Sequence, residues 1–578
     1  MKVRLCRMDS GEEIRSAVPE PMKNGGSFLR VGVTREDLER SGGVLNLCFE
    51  LEILGLHGFW QPELYRPVMH LEWGISFQSG LQRNFPYLTF FEQGGHSRAV
   101  FALTCLKDDV SVNAVMNQEF SRYDIVFSVA ADASAATEGF DFLVSTEEIP
   151  WQDLLSEYRS LVLREGVPAF PESAWKPVYC TWYAVHAALS MEYLERNAEL
   201  AADMGFGTFI VDDGWCFDRM KRVRPEELPD WYCDIGDWRL SENKLPGFRE
   251  HVRRAQERGL KYLLWVAPFF LGKNSRVFAE IPDIEGKAAA GRLPCISGSV
   301  VMDPAEPTAA RHAEESLLSL MKEWNLDGLK IDFLDTVRPS VSSPRSRVIA
   351  GYLERLIARI RGMKKDALIE FRQHYATPGM LPYATQFRAG DVPFDYLENI
   401  HRIAMIRLIL GDAVPVHADP VYFHEEETPE NVARHMIASL AGVPMFSMDL
   451  SRLKEDLRAV VKHWIAFYLA HLETFRRGHW SMEYFCDHLV RVAVEGEKEE
   501  IVILLDSALA EGEWKRLAGI ETVMEKENSS GRNRKFFLLN LAERAFACPA
   551  EARVSGPSGI EREAGSAVPC GGFAEIRF

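Results

Sequence analysis

Between residues 178 and 448 short apolar runs alternate with longer amphipathic stretches, and this alternation limits the possible folds more than any other feature of the chain. Short runs suit buried strands, and the stretches between them suit surface helices, which is the pattern of βα units on a parallel sheet. Strands are expected at 178–182, 208–213, 262–268, 329–333, 368–371, 386–389, 414–417 and 444–448. Helices are expected at 191–204 (with Ser190 as N-cap), 248–258, 308–325, 347–363, 396–410, 429–440 and 453–475, with an extra short strand at 299–302. Eight strands over roughly 300 residues is the size of a (β/α)8 barrel.

The flanks read differently. Residues 1–165 are mostly β, with strand-length runs at 44–53, 99–106 and 123–129 and a first convincing helix only at 151–161. A β-sandwich fits this region, closed by a proline-marked connector at 167–171. The barrel is expected over 172–479. From residue 480 the chain returns to β: 489–494 and 501–505 flank a polar turn as a hairpin would, and 525–535 reads as a loop. The expected architecture is therefore α/β, a (β/α)8 barrel between an N-terminal β-sandwich (1–165) and a small C-terminal β domain (480–578).

Composition narrows the partners. A net charge of −18 argues against nucleic acid or an anionic membrane. The ten cysteines form no C-x-x-C pair, so neither a zinc site nor a redox dithiol is indicated. The segment from Met1 to Ser10 has no apolar signal core, and no apolar run approaches the ~18 residues of a membrane span. A cytoplasmic location is the expectation. The 13 tryptophans and 34 phenylalanines include faces that suit sugar rings, although core packing accounts for most of them.

Active sites of such barrels form at the C-terminal ends of the strands. In 329–333 side chains alternate faces, so Lys330 and Asp332 share the face opposite Leu329, Ile331 and Phe333. A charged pair inside a buried strand breaks the apolar rule, as functional sites do. The ammonium is expected to hold the carboxylate ionised, as a carboxylate nucleophile requires; a structural ion pair is the competing reading. Other strand ends carry Trp182, Asp212-Asp213, Trp265, and Arg388 with Asp391. Carboxylates match vicinal hydroxyls and indoles stack on sugar C–H faces, so the set points to carbohydrate chemistry, with no Gly-rich phosphate loop to compete. Asp212-Asp213-Gly214 is also a turn signal, and Asp391 is also a candidate N-cap. Trp182 and Trp265 taken singly are ordinary core residues. His374, His417 and Asp419 invite a metal reading, but no ligand spacing supports one, so no metal and no organic cofactor are expected.

In their order from Val178 to Asp419 these residues resemble glycoside hydrolase family 36, the α-galactosidase family. The matching pieces are Trp182, Val211-Asp-Asp-Gly-Trp215, Gly236-Asp-Trp238, Trp265, Lys330-Ile-Asp-Phe333 and Phe387-Arg-Ala-Gly-Asp391. The resemblance implies a retaining exo-α-galactosidase with two carboxylates about 5–5.5 Å apart. Asp332 would be the nucleophile and Asp391 the acid/base. Asp212 and Asp213 would hold the O4 and O6 hydroxyls of a galactose-like ring. Lys330 and Arg388 would bind other hydroxyls and tune the two carboxylates, and Trp182 and Trp265 would shape the sugar pocket.

The chain departs from the family after strand three, where Ala267-Pro-Phe-Phe270 replaces an acidic segment, and in the spacing of Arg388 to Asp391, one residue tighter than in some relatives. After strand five it carries Glu370-Phe-Arg-Gln-His374 in place of a Cys- or Gly-rich turn. Arg372 or Gln373 would then meet a different substituent at C2, which leaves α-N-acetylgalactosaminidase, another α-glycosidase or a transglycosidase open, and a non-hydrolytic sugar-binding relative as a further alternative. Asp237 either adds a substrate contact or orders its loop. Trp60 and Trp73 are candidates to reach the barrel mouth from the N-terminal region, with sandwich-core packing as the competing role.

Overall fold

The computed structural model describes residues 2–577 except 24, 64, 66, 131–138, 164–168, 282, 338–344, 527–533 and 564. At its centre is an eight-stranded parallel sheet: β1 (Val178–Cys180), β2 (Thr208–Val211), β3 (Lys261–Val266), β4 (Gly328–Ile331), β5 (Leu368–Arg372), β6 (Gln386–Arg388), β7 (Val416–His417) and β8 (Met445–Phe446). Neighbours run β7-β6-β5-β4-β3-β2-β1-β8. A parallel bridge between His417 and Val443 joins the two ends and closes the barrel. Each expected strand is present; most are one to three residues shorter, because the chain turns into its rim loop as soon as the ladder ends.

The covering helices are α1 (Met191–Asp203), α2 (Phe248–Glu257), α3 (Pro307–Glu323), α4 (Arg345–Met363), α5 (Tyr396–Leu410), α6 (Pro429–Ser439) and α7 (Glu455–Ala470). Local chemistry sets their starts. Ser190 accepts from the Tyr193 N–H, Asp395 from the Glu398 N–H and Thr428 from the Asn431 N–H, each satisfying an orphan donor of the first turn. The N-cap of α5 is thus Asp395, which leaves Asp391 outside the helix. Between β5 and β6 the connection is two short 3-10 turns, Gln373–Tyr375 and Pro378–Met380. The extra strand expected at 299–302 is Ser299–Val301, in a small antiparallel sheet with Phe270–Gly272 and Cys295–Ile296.

The N-terminal region is two six-stranded sheets. Strand 44–52 pairs with 122–130 over nine residues, and their inward faces meet Phe101 and Phe142 around Phe49 in a core of their own. A short helix, Arg35–Arg40, closed by a Thr34–Asp37 capping box, escaped the sequence reading. Residues 167–168 of the expected connector lie outside the described residues. The C-terminal sheet has six strands, including the expected hairpin as His488–Glu495 and Glu499–Leu504. The loop expected at 525–535 is corrected at both ends: a helix spans Ala510–Lys526, and a strand begins at Lys535. Its middle, 527–533, lies outside the described residues. Among the described residues no helix is long and apolar enough to cross a membrane.

The sandwich is docked against the barrel mouth. The Leu81 N–H donates to Ser346 Oγ at 3.0 Å, Thr377 Oγ1 donates to the Leu81 carbonyl at 3.0 Å, and Gln82 Nε2 donates to the carbonyls of Leu334 and Val337.

Candidate active site

β4 ends at Ile331, one residue before Asp332, and Phe333 turns out of the strand with φ +59°. A non-glycine residue in that region is strained and has to be held there by its surroundings. The Phe333 ring packs on Phe270 at 4.6 Å and carries the Arg372 guanidinium at 4.7 Å. The strained turn aims the Phe333 N–H back at Asp332 Oδ1, 2.8 Å away. Sequence alternation put Phe333 on the strand's apolar face; the observed turn corrects that.

Asp332 is buried and accepts two further hydrogen bonds: Arg372 Nη1 donates to Oδ1 at 2.9 Å, and Trp265 Nε1 donates to Oδ2 at 3.0 Å. Burial alone would raise its pKa, but Arg372, then Lys330 and Arg388, outweigh burial and hold the carboxyl well below the usual range. Its ionising contact is therefore Arg372. Lys330, expected in that role, instead donates to Asp212 Oδ2 at 2.6 Å and acts on Asp332 from a distance.

Asp212 also takes the Asp213 N–H on Oδ1 at 3.0 Å. Asp213 Oδ2 accepts from Trp231 Nε1 at 2.6 Å, while its buried Oδ1 has no hydrogen-bond partner among the described residues. Burial, with the charge of Asp212 added to it, pushes the Asp213 carboxyl up to about 7 against the Trp231 bond. Gly214, at φ +104°, makes the turn: a Cβ there would sit 2.4 Å from Ala187 Cα. The turn reading and the site reading of this motif thus describe the same residues.

On β6, Arg388 is buried and its Nη1 donates to Asp391 Oδ1 and to Asp419 Oδ1, both at 2.7 Å. The Asp391 side chain is 55% exposed. Crowding at the rim works against its charge, but Arg388, then Lys330 and Arg372, outweigh that and the repulsion of Asp332, so the carboxyl lies below its usual range.

Trp182 is half-buried and meets His186 and Trp231 edge-on at 4.9 and 5.9 Å. Trp265 is buried behind Asp332, and Tyr232 stacks on it at 6.2 Å. Gln373 is buried; its Oε1 accepts the Gly390 N–H at 2.7 Å, so it fixes the backbone next to Asp391. Asp237 accepts the N–H groups of Arg276 and Val277, both at 3.1 Å, and orders a loop. His417 has both ring nitrogens engaged, by Glu370 at 3.1 Å and the Ala174 carbonyl at 2.8 Å. Among the described residues no group of three or more His, Cys, Asp or Glu side chains is arranged to hold a metal ion.

Trp60 is fully buried and stacked on Trp151 at 5.1 Å. Of its two candidate roles, reaching the barrel mouth or core packing, the indole takes the second, among Phe85, Tyr87 and Trp151. Trp73 is exposed, just ahead of the strand Gly74–Ser79 of the sandwich. The N-terminal residue at the rim is Tyr65, whose hydroxyl is hydrogen-bonded to His374 at 3.1 Å and whose ring carries the Arg402 guanidinium at 4.2 Å. Tyr65, Trp231, Tyr232 and Asp419 as a partner of Arg388 escaped the sequence reading.

A closed βα barrel with an acidic rim, walled on one side by an N-terminal sandwich, defines the class of multidomain barrel proteins built around a polar, indole-lined pocket. The chain belongs to the melibiase family, whose model matches residues 148–478, more than half of its length, in keeping with the family-36 resemblance. It is 27% identical over 251 residues to an α-galactosidase of Escherichia coli, covering 43% of this chain and 32% of that protein. It is 26% identical over 332 residues to α-galactosidase 1 of Pediococcus pentosaceus, covering 54% and 43%. The matched stretches thus span under half the length of these curated relatives. The galactosidase domain of the α-galactosidase–sucrose kinase AgaSK shares the fold over 100% of this chain and 88% of that one, at TM-score 0.65 and 13% identity. An AgaA α-galactosidase variant from Geobacillus stearothermophilus, solved with raffinose, shares it over 92% and 77%, at TM-score 0.63 and 13% identity.

Proposed function

We propose that this protein is a retaining exo-α-galactosidase that removes terminal α-linked galactose from small oligosaccharides and glycosides. The observation that carries the proposal is the pair of rim carboxylates in opposite settings. Asp332 is buried, fixed by three donors and kept ionised by Arg372. Asp391 is half exposed and tethered by one guanidinium. A held, ionised carboxylate suits attack on the anomeric carbon to form a covalent glycosyl-enzyme. A carboxyl reachable from solvent suits the exchange of a proton with the leaving oxygen and then with the incoming water. Substrate binding covers Asp391 and removes water from it, which favours its protonated form.

In this reading Asp212, fixed by Lys330, and Asp213, with its free Oδ1, receive the ring hydroxyls farthest from the reacting carbon. Arg388 steadies Asp391, Trp265 fixes Asp332 through Oδ2, and Trp182 walls the sugar. The curated relatives are named α-galactosidases, and the AgaA structures hold raffinose or stachyose, which supports the sugar class. All ten cysteines are free thiols, which fits a reducing compartment such as the cytoplasm.

A second reading rests on the strand-five turn. Arg372, beside Asp332 on that turn, is a donor that an acceptor-bearing C2 substituent could use, so α-N-acetylgalactosamine or another α-glycoside is the competing sugar. A panel of aryl α-glycosides assayed with chelator present separates the two. The expected outcome is turnover of the galactoside, reduced at least about a thousandfold in both Asp332→Ala and Asp391→Ala. Turnover confined to the N-acetyl sugar would move the assignment to the second reading. A fully active Asp332→Ala protein would refute both.

A further inference from the structure

Arg388 makes an unusual division of its hydrogen bonds. One nitrogen, Nη1, serves two carboxylates at equal distance, Asp391 Oδ1 and Asp419 Oδ1, as well as the Ala389 carbonyl at 2.9 Å. Asp419 is fully buried just beyond β7 and held on every side. Its Oδ2 accepts from the Tyr183 hydroxyl and the Val392 N–H, both at 2.8 Å. Asn399 of α5 clamps its backbone, accepting its N–H at 3.0 Å and donating to its carbonyl at 2.9 Å. A fully buried carboxylate held by three donors has no direct use for substrate. Its links to the chemistry are the guanidinium it shares with Asp391 and the N–H of the next residue, Val392.

We propose that Asp419 is a positioning residue for the acid/base step: by taking half of the Arg388 Nη1 contact it fixes the guanidinium in place and limits its hold on Asp391. The inference rests on the glycosidase reading above. Its logic is that an acid must give up a proton it first holds. An arginine paired with Asp391 alone would keep that carboxyl ionised. Sharing the cation with a second carboxylate weakens that hold, so Asp391 takes up a proton from solvent more readily once substrate removes water from it, and it then passes that proton to the leaving oxygen. The Val392 N–H bond adds a mechanical coupling, since it ties the residue after Asp391 to the same anchor. Burial, and the charge of Asp391, push the Asp419 carboxyl up to about 7 against the pull of Arg388, in keeping with a pair under mutual repulsion.

The charged and titratable groups that bear on this pair are few. Arg388 and Tyr183 face Asp419. Arg388, Lys330, Arg372 and Asp332 act on Asp391, its charge in turn reaches Tyr183, Tyr232 and His374, and Arg402 donates to its backbone carbonyl at 2.6 Å. Tyr183 feels the charge of both carboxylates, but Arg388 Nη1 is the group hydrogen-bonded to both, so a change of charge at Asp419 reaches Asp391 chiefly through Arg388.

The test is the pH profile of kcat/KM for Asp419→Asn with two α-galactosides. One has an alkyl or sugar leaving group that needs a proton, and the other a dinitrophenyl group that does not. The amide keeps an acceptor for Tyr183 and Val392 and removes the competing charge. Arg388 then falls to Asp391 alone, and the basic limb for the alkyl or sugar substrate should move down by about one pH unit. With the dinitrophenyl substrate that limb should not move. Tyr183→Phe, which removes one anchor of Asp419 and leaves its carboxylate less favoured, should give a smaller shift of the same sign and serves if Asp419→Asn does not fold. A basic limb that stays in place, or an equal loss for both substrates at every pH, would reduce Asp419 to a structural residue and overturn the assignment. Absence of turnover by the wild-type protein on every α-glycoside would instead fell the underlying reading, and this inference with it.

Discussion

Asp213 is the residue at which function and stability pull apart most clearly. Its Oδ1 is buried without a partner and its carboxyl is pushed up to about 7, first by burial and then by Asp212. In the unfolded chain the same group titrates near ~3.9. A carboxyl whose folded pKa lies above its unfolded value favours the folded state fully below the unfolded pKa, and that contribution disappears as pH rises through the folded value. Asp213 should therefore weaken the fold progressively between about pH 4 and 7, by an amount on the order of a few kcal/mol at neutral pH. Asp213→Asn removes the charge and keeps an acceptor for Trp231. Its melting temperature should exceed that of the wild type at pH 8 and approach it at pH 4, while affinity for the sugar falls. Thermal unfolding across that range decides it, and a variant less stable than wild type at pH 8 would sink the idea. Such a cost at a site residue is what a free acceptor kept for a ligand hydroxyl implies.

At the level of elements, the barrel was legible because period and length speak together: short apolar runs and amphipathic helices repeat in order, and each chosen strand end carried its polar residues out of the ladder. The rim side chains were legible only in part. Asp332, Asp391 and Asp212 stand at strand ends and announce themselves, but the sequence offers Arg372 only as a candidate C2 contact and carries no sign of its ion pair with Asp332. Tyr65, Trp231 and Tyr232 come from loops, where no period marks which side chain turns inward. The helix Ala510–Lys526 was missed beside a polar stretch that drowned its apolar spacing. Close approach of strands is likewise hidden until the fold is known. Gly328 opens β4 directly against β5, where a Cβ would sit 1.9 Å from the Leu368 carbonyl oxygen. Gly328→Ala should part β4 from β5, displace Lys330 and Asp332, and lower the melting temperature by a few degrees, roughly the effect of a few kcal/mol in a chain this long. Gly351→Ala on α4, whose Cβ would meet only the tip of Arg355 at 3.8 Å, should instead stabilise by about 0.5–1 kcal/mol. Equal melting temperatures for the pair would contradict the assigned β4–β5 contact.

At the scale of the whole molecule, the three regions differ in how separable they are. The outer half of the sandwich has its own core around Phe49, Phe101, Phe127 and Phe142. The inner half does not: Trp60, Tyr87 and Tyr158 belong to the same continuous apolar cluster as barrel residues Trp175, Tyr179 and Met445, and so do Trp480, Val492 and Phe537 from the C-terminal sheet. Trp60 stacks on Trp151 and Tyr87 packs on Tyr158, both at 5.1 Å, so the seam is filled with rings continuous with the apolar core of the barrel. The rim depends on the same seam, because Tyr65 holds His374 and packs under Arg402, which in turn donates to the Asp391 carbonyl. We therefore propose that the boundaries near 165 and 480 mark changes of architecture and not independent folding units. The fragment 172–479 should be insoluble or molten, with near-ultraviolet dichroism lost, whereas the full chain should unfold in a single transition with activity and dichroism falling together. A soluble 172–479 fragment with native-like aromatic dichroism would show that the barrel closes its own core, and the sandwich would then be an appendage. Removal of the sandwich should also free Arg402 and His374, so any activity left in a folded fragment should show a raised KM, because the rim rather than the carboxylate pair is what the sandwich completes.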